Sequence, residues 1–124
     1  MLITPSELPG PPGSRFLVGA DHGGLPISLF LVDVPTASGP KLHRHPYPEI
    51  FVLDTGQADF QVGEAVLTAH AGDILIAPAG TAHRFTSIGE GQLRLTAIHT
   101  ASTMETEWLA SDARQMPAGC SGVA

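Results

Sequence analysis

The stretch EIFVLDTGQADFQVGEAVLTAHAGDILIAPAG, residues 49–80, decides the fold. It divides into the runs Glu49–Asp54, Ala58–Val62, Ala65–Ala69 and Ile74–Ala77. The breakers are Thr55-Gly56, Gly63-Glu64, Gly72 and Pro78-Ala79-Gly80. Runs this short, bounded by Gly and Pro, read as strands. Glycine first in a two-residue loop predicts a type II′ hairpin at Gly63-Glu64. The same rhythm continues outward through Arg15–Val18, Ile27–Val34, Lys41–His45, His83–Ser87 and Gln92–His99. In the last run Leu93, Leu95, Ala97 and His99 share one face, and Arg94, Thr96 and Ile98 share the other. About eight strands with frequent turns predict an all-β domain, a closed antiparallel barrel or double-sheet jelly roll. Closure also protects strand edges that carry little charge.

Composition agrees. Gly and Pro number 14 and 11 of 124 residues, about a fifth of the chain and above ordinary usage. Neither suits helix interiors, which excludes a helical bundle. Charged residues make up 15% and apolar residues 43%. Low charge with ample apolar content excludes wholesale disorder. The length fits one domain: an irregular Pro/Gly-rich arm over 1–14, a barrel over 15–100, and a C-terminal segment and tail over 101–124. Within that last segment, Met104–Gln115 suits a short surface helix or a loop, with Trp108 as a buried anchor. Ile27–Val34 is apolar on both faces apart from Ser28 and Asp33, which predicts cover on both sides. A second copy would supply it, so a homodimer is expected.

The net charge is −6 with no basic run, so nucleic acid is not an expected partner. No apolar stretch approaches the roughly 20 residues needed to span a bilayer, so no membrane partner is expected either. The single cysteine, Cys120, has no internal disulfide partner. The first 15 residues have neither a cationic nor an apolar leader region, and a cytoplasmic setting is the expectation.

The six histidines matter through their placement. His43 and His45 lie two apart, so on a strand both point to one face. Glu49 opens the next run with the same parity, and His83 follows the Pro78-Ala79-Gly80 turn. If these hairpins lie side by side, three imidazoles and one carboxylate converge. Such ligands suit Fe, Mn, Co, Ni, Cu or Zn. With no cysteine nearby, a closed zinc site of the Cys type is excluded. The alternative is three unrelated surface or core histidines.

The spacings resemble the cupin superfamily. Its first motif, G-x5-H-x-H-x3,4-E-x6-G, is matched by Gly39, His43, His45, Glu49 and Gly56, with the first spacer two residues shorter. Its second, G-x5-P-x-G-x2-H-x3-N, is matched by Gly72, Pro78, Gly80 and His83, with Ser87 in place of Asn. The resemblance implies a small single-domain jelly-roll barrel holding one divalent transition metal ion through His43, His45, Glu49 and His83. It places the glycines and Pro78 as turn-makers, and makes Ser87 for Asn a change of turn hydrogen bond.

The function expected is a metal-dependent dioxygenase, or other oxygenase, acting on a small organic molecule. Glu49 and His99 are its candidate catalytic residues. Alternatives are an isomerase or lyase with His99 as base, a non-catalytic small-ligand-binding barrel, and a barrel that works without metal. His99 reads either as a pocket acid–base group or as a core histidine with a satisfied hydrogen bond. Tyr47 reads as entrance lining or packed cap. His22 and His70 read as turn residues, and Phe51, Phe60 and Phe85 as lumen packing. Arg84 and Arg94 have the opposite parity to His83 and His99, so they are expected to face outward into solvent.

Overall fold

A computed structural model of the chain describes residues 1–109. The strands are β1 (Ser14–Leu17), β2 (Ser28–Val34), β3 (His43–Arg44), β4 (Glu49–Thr55), β5 (Gln57–Val62), β6 (Ala65–His70), β7 (Ile74–Ala77), β8 (His83–Ile88), β9 (Leu93–His99) and β10 (Glu107–Trp108). They form two five-stranded sheets, ordered β1-β2-β9-β4-β7 and β10-β3-β8-β5-β6. Every pairing is antiparallel. The expected double-sheet jelly roll is what forms. The described residues contain no α-helix, only 3-10 turns at Pro5–Glu7 and Gly19–Asp21. None of their helices is long and apolar enough to cross a membrane.

The alternating patterns place the core. Phe30, Val32 and Val34 of β2, Phe51 and Leu53 of β4, and Leu93, Leu95 and Ala97 of β9 point inward from the first sheet. Ala58 and Phe60 of β5 and Phe85 of β8 meet them from the second. The rings of Phe51 and Phe60 stand 5.1 Å apart and those of Phe60 and Phe85 5.3 Å. These phenylalanines are lumen packing, as expected. They fill one end of the sandwich and leave the polar residues of β3, β4, β8 and β9 at the other.

The turns are those the sequence asks for. Gly63 has φ +58° while Glu64 stays out of the left-handed region, the type II′ requirement. Gly39 is needed for another reason. A Cβ there would stand 1.8 Å from the carbonyl oxygen of Phe85, so only glycine lets this loop run against β8. Ser87 secures the same loop: its hydroxyl donates to the Pro35 carbonyl at 2.5 Å and accepts from the Ser38 N–H at 3.1 Å. The serine thus ties this loop to β8 through two hydrogen bonds of its own.

Three expectations need correction. Met104–Leu109 is not the start of a helix: Glu107 and Trp108 pair with Arg44 and His43 on the open edge of β3. Ladder hydrogen bonds at that edge outweigh the weak propensity of a short polar segment. The remainder of the expected helix, and Cys120, lie outside the described residues. Trp108 is not a buried anchor but 49% exposed, because β10 is an edge strand at the barrel mouth. Arg84 does leave the lumen face of β8, but it is only 1% exposed rather than solvated. Parity sets the face of a strand and not whether another segment lies over it. Arg94 faces outward as expected, with Asp33 at 3.7 Å.

Candidate metal centre

The four expected ligands meet. His43 lies on β3, His45 just beyond it, Glu49 opens β4 and His83 opens β8. Arg44, between the first two histidines, is exposed while both of them are buried, which is the period-two parity of a strand. His43 and His83 are register partners across β3 and β8. One ligand atom from each of His43, His45, Glu49 and His83 lies within 4.8 Å of all the others, and all four residues are buried. This is a buried three-histidine, one-glutamate metal-binding site.

Each imidazole is aimed by the main chain. Nδ1 of His43 donates to the Lys41 carbonyl at 2.7 Å, that of His45 to the Glu105 carbonyl at 2.7 Å, and that of His83 to the Thr81 carbonyl at 2.9 Å. A carbonyl oxygen can only accept, so each Nδ1 carries the proton and each neutral ring presents its Nε2 lone pair on the side away from that carbonyl. Backbone carbonyls of this kind commonly orient metal-ligating histidines. The sequence gives no sign of these three acceptors, because any residue type can offer a carbonyl.

The donor set fits a cation. Nε2 of His45 and of His83 face Oε1 of Glu49 at 2.9 and 3.0 Å. A lone pair against a carboxylate oxygen at that distance requires a proton or a metal ion to share. Nε2 of His45 and Oε2 of Glu49 are moreover buried without a hydrogen bond. An unsatisfied buried polar atom costs about 1–3 kcal/mol, and a bound cation removes the deficit at both. Burial, followed by the neighbouring His83, pushes His43 down to about 4, so its ring is neutral and available as a ligand at pH 7. Burial alone would raise the Glu49 carboxyl. Contacts from His45, His83 and His99 outweigh that and hold it well below the usual carboxylate range.

His99 joins the same cluster from β9. It is the register partner of Glu49 across β4 and β9, fully buried, with Nε2 3.2 Å from Oε2 of Glu49. Its Nδ1 meets the Tyr47 hydroxyl at 2.6 Å rather than a carbonyl. Tyr47 is therefore part of the centre and not merely lining: its ring also stacks on His45, centroids 5.2 Å apart and 7° from parallel. Trp108 adds a ring 4.9 Å from His43. His70 is exposed and paired with Asp73 at 3.8 Å. His22 follows the 3-10 turn at Gly19–Asp21. The structure brings neither into the cluster.

Comparison with known proteins agrees with this geometry. The family model for the cupin domain matches residues 30–99. A search of curated proteins finds no match. Among solved structures, oxalate decarboxylase of Bacillus subtilis, described with Mn(II) centres, superposes with a TM-score of 0.72 at 21% identity, over 82% of this chain and 29% of its own. This chain therefore spans under a third of that enzyme's length. A cupin-like protein of Thermotoga maritima matches with a TM-score of 0.66 at 22% identity, over 79% of this chain and 75% of that one. A double-stranded β-helix protein of Klebsiella pneumoniae matches with a TM-score of 0.69 at 16% identity, over 86% and 89%. These likenesses establish a shared fold.

Proposed function

The chain belongs to the cupin family, and from the centre it carries we propose that it is a metal-dependent oxygenase acting on a small organic molecule. The observation that carries the reading is the convergence of three carbonyl-tethered imidazoles and Glu49 beside an apolar lumen. His43, His45, Glu49 and His83 would hold the ion, and a redox-active ion there would supply activation of dioxygen or of the substrate. The chain's own residues do the rest. The lumen phenylalanines exclude water, Glu49 holds negative charge at the centre, and His99 stands ready to give or take a proton at Nε2.

A second reading is a non-redox isomerase or lyase of the same site. It is favoured by the contact series Tyr47, His99, Glu49, which is built for proton movement. The distant likeness to a decarboxylase points the same way. Metal analysis of gently purified protein beside His43→Ala tests the shared premise; equal, near-zero metal in both would sink it. Turnover compared with and without dioxygen then separates the two readings, and equal rates would end the oxygenase proposal.

We further propose that a second copy of this chain covers the outer face of the first sheet. Register aligns Leu17, Leu29, Ile98, Ile50 and Ile76 in one row, and Arg15, Leu31, Thr96, Val52 and Ile74 in the next. Ile74 and Ile76 are 67% and 60% exposed. The adjoining row carries Asp33 and Arg94 side by side, so a two-fold-related copy can set opposite charges against each other. Light scattering should give twice the monomer mass, and Ile50→Glu should halve it. A monomeric parent protein would refute the pairing.

A further inference from the structure

Four histidines surround Glu49, yet they are held in two different ways. His43, His45 and His83 each present Nδ1 to a backbone carbonyl. His99 presents Nδ1 to a phenol. A carbonyl dictates Nδ1–H, whereas a hydroxyl can donate as well as accept.

The surroundings of Tyr47 decide which it does. Among the described residues its hydroxyl has two polar partners. The Glu105 N–H donates to it at 3.2 Å, and Nδ1 of His99 lies at 2.6 Å. The first is a donor only, so the phenolic proton has Nδ1 of His99 as its acceptor. That places the ring proton of neutral His99 on Nε2, opposite to the other three. The inner side agrees: Nε2 of His99 stands 3.2 Å from a carboxylate oxygen, where an N–H is favoured and a lone pair is not. The contact does not meet hydrogen-bond alignment, and this buried nitrogen is otherwise unpartnered. Its proton is thus aimed into the centre with capacity to spare.

We infer that Tyr47 is a positioning residue whose hydroxyl fixes His99 in the Nε2–H form, which keeps His99 out of the metal's ligand set and turns it into a hydrogen-bond donor for an oxyanion bound there. This rests on the metal-centre reading above and narrows its ligand class to molecules that coordinate through an anionic oxygen, such as a carboxylate or enolate. Apart from the metal ligands, the side chains packed in the core beside the centre are apolar. His99 is then the protein group that answers the ligand's charge directly.

The test uses the full chain loaded with one equivalent of zinc, its histidines labelled with nitrogen-15. Long-range proton–nitrogen correlations read each tautomer. The expected result is Nδ1–H with metal-shifted Nε2 at His43, His45 and His83, and Nε2–H at His99. In Tyr47→Phe, which keeps the ring stacked on His45, His99 should leave that single form while the other three and the zinc stoichiometry are retained. Nδ1–H at His99 in the parent protein, metal-shifted Nε2 there, or a His99 unaltered by Tyr47→Phe would overturn the inference. Zinc that leaves His43, His45 and His83 unshifted would overturn the metal-centre reading itself. Acetate titrated into the cobalt-loaded proteins, followed by the visible bands, gives a second readout independent of turnover. Affinity should fall about tenfold in Tyr47→Phe and in His99→Phe. Equal affinity in all three proteins would refute the donor role even if one variant proved poorly folded by the tautomer measurement.

Discussion

His43 stands directly opposite His83, and that single register pair is the whole of the β3–β8 ladder. Their rings are 4.4 Å apart. Two metal ligands are thus also the seam by which β3, and through it β10, is attached to the second sheet. A cation between them would act as a cross-link where the backbone provides little.

Metal binding should therefore raise thermal stability. At a free concentration about a hundredfold above Kd, linkage contributes roughly 2.7 kcal/mol, or about 10 °C in Tm for a chain of this size. His43→Ala and His83→Ala should each abolish the shift. Scanning calorimetry with and without zinc checks this, and a shift retained in His43→Ala would contradict it.

Acid should weaken the metal-free protein. His43 is pushed down to about 4 by burial, so between there and its ordinary value near 6.5 the unfolded chain binds the extra proton. Stability rises with pH wherever the unfolded state holds more protons. It should thus fall as pH drops from about 6.5 towards 4, by at most about 3 kcal/mol from this group. The low-lying Glu49 carboxyl adds a loss of the same sign at more acid pH. Urea midpoints measured at pH 7 and pH 5 should differ in that direction, and His43→Phe should flatten the dependence.

Trp108 offers a direct signal. It is the only tryptophan in the chain, half exposed, with its ring 4.9 Å from a ligand histidine. Copper(II) or cobalt(II) should quench its emission and saturate at one equivalent. Quenching of equal size in His43→Ala would mean binding elsewhere.

Gly39→Ala should destabilise strongly, by about 3 kcal/mol or more, because its methyl would overlap the Phe85 carbonyl oxygen. Chemical denaturation measures the loss. A change below about 0.5 kcal/mol, the range of an ordinary surface substitution, would show that the loop can retreat.

What the sequence made legible follows a physical line. His43, His45, Glu49 and His83 lie in locally extended segments beside recognisable turns, so period-two parity and spacing brought them together. The pairing of Glu49 with His99 joins β4 to β9 across a long separation, and no local pattern specifies which strands become neighbours. For that reason the sequence alone allows two readings of His99, and either lining or cap for Tyr47. Arg84 shows the same limit: alternation put it on the correct face, while its burial depends on what lies over that face. Trp108 departs from the burial that large apolar side chains usually seek, because strand pairing at an open edge holds it at the mouth.

The tethers of the three ligand histidines divide the centre by how it responds to mutation. Lys41, Thr81 and Glu105 contribute only main-chain groups, so their side chains can vary while the imidazoles stay aimed; an insertion or a proline that shifts the backbone is what would disturb them. His99 is aimed by a side chain, and a single substitution that removes one oxygen atom from Tyr47 is enough to release it. The metal-binding half of the centre is therefore robust to point mutation, and the half that handles protons is where a few substitutions could redirect its chemistry.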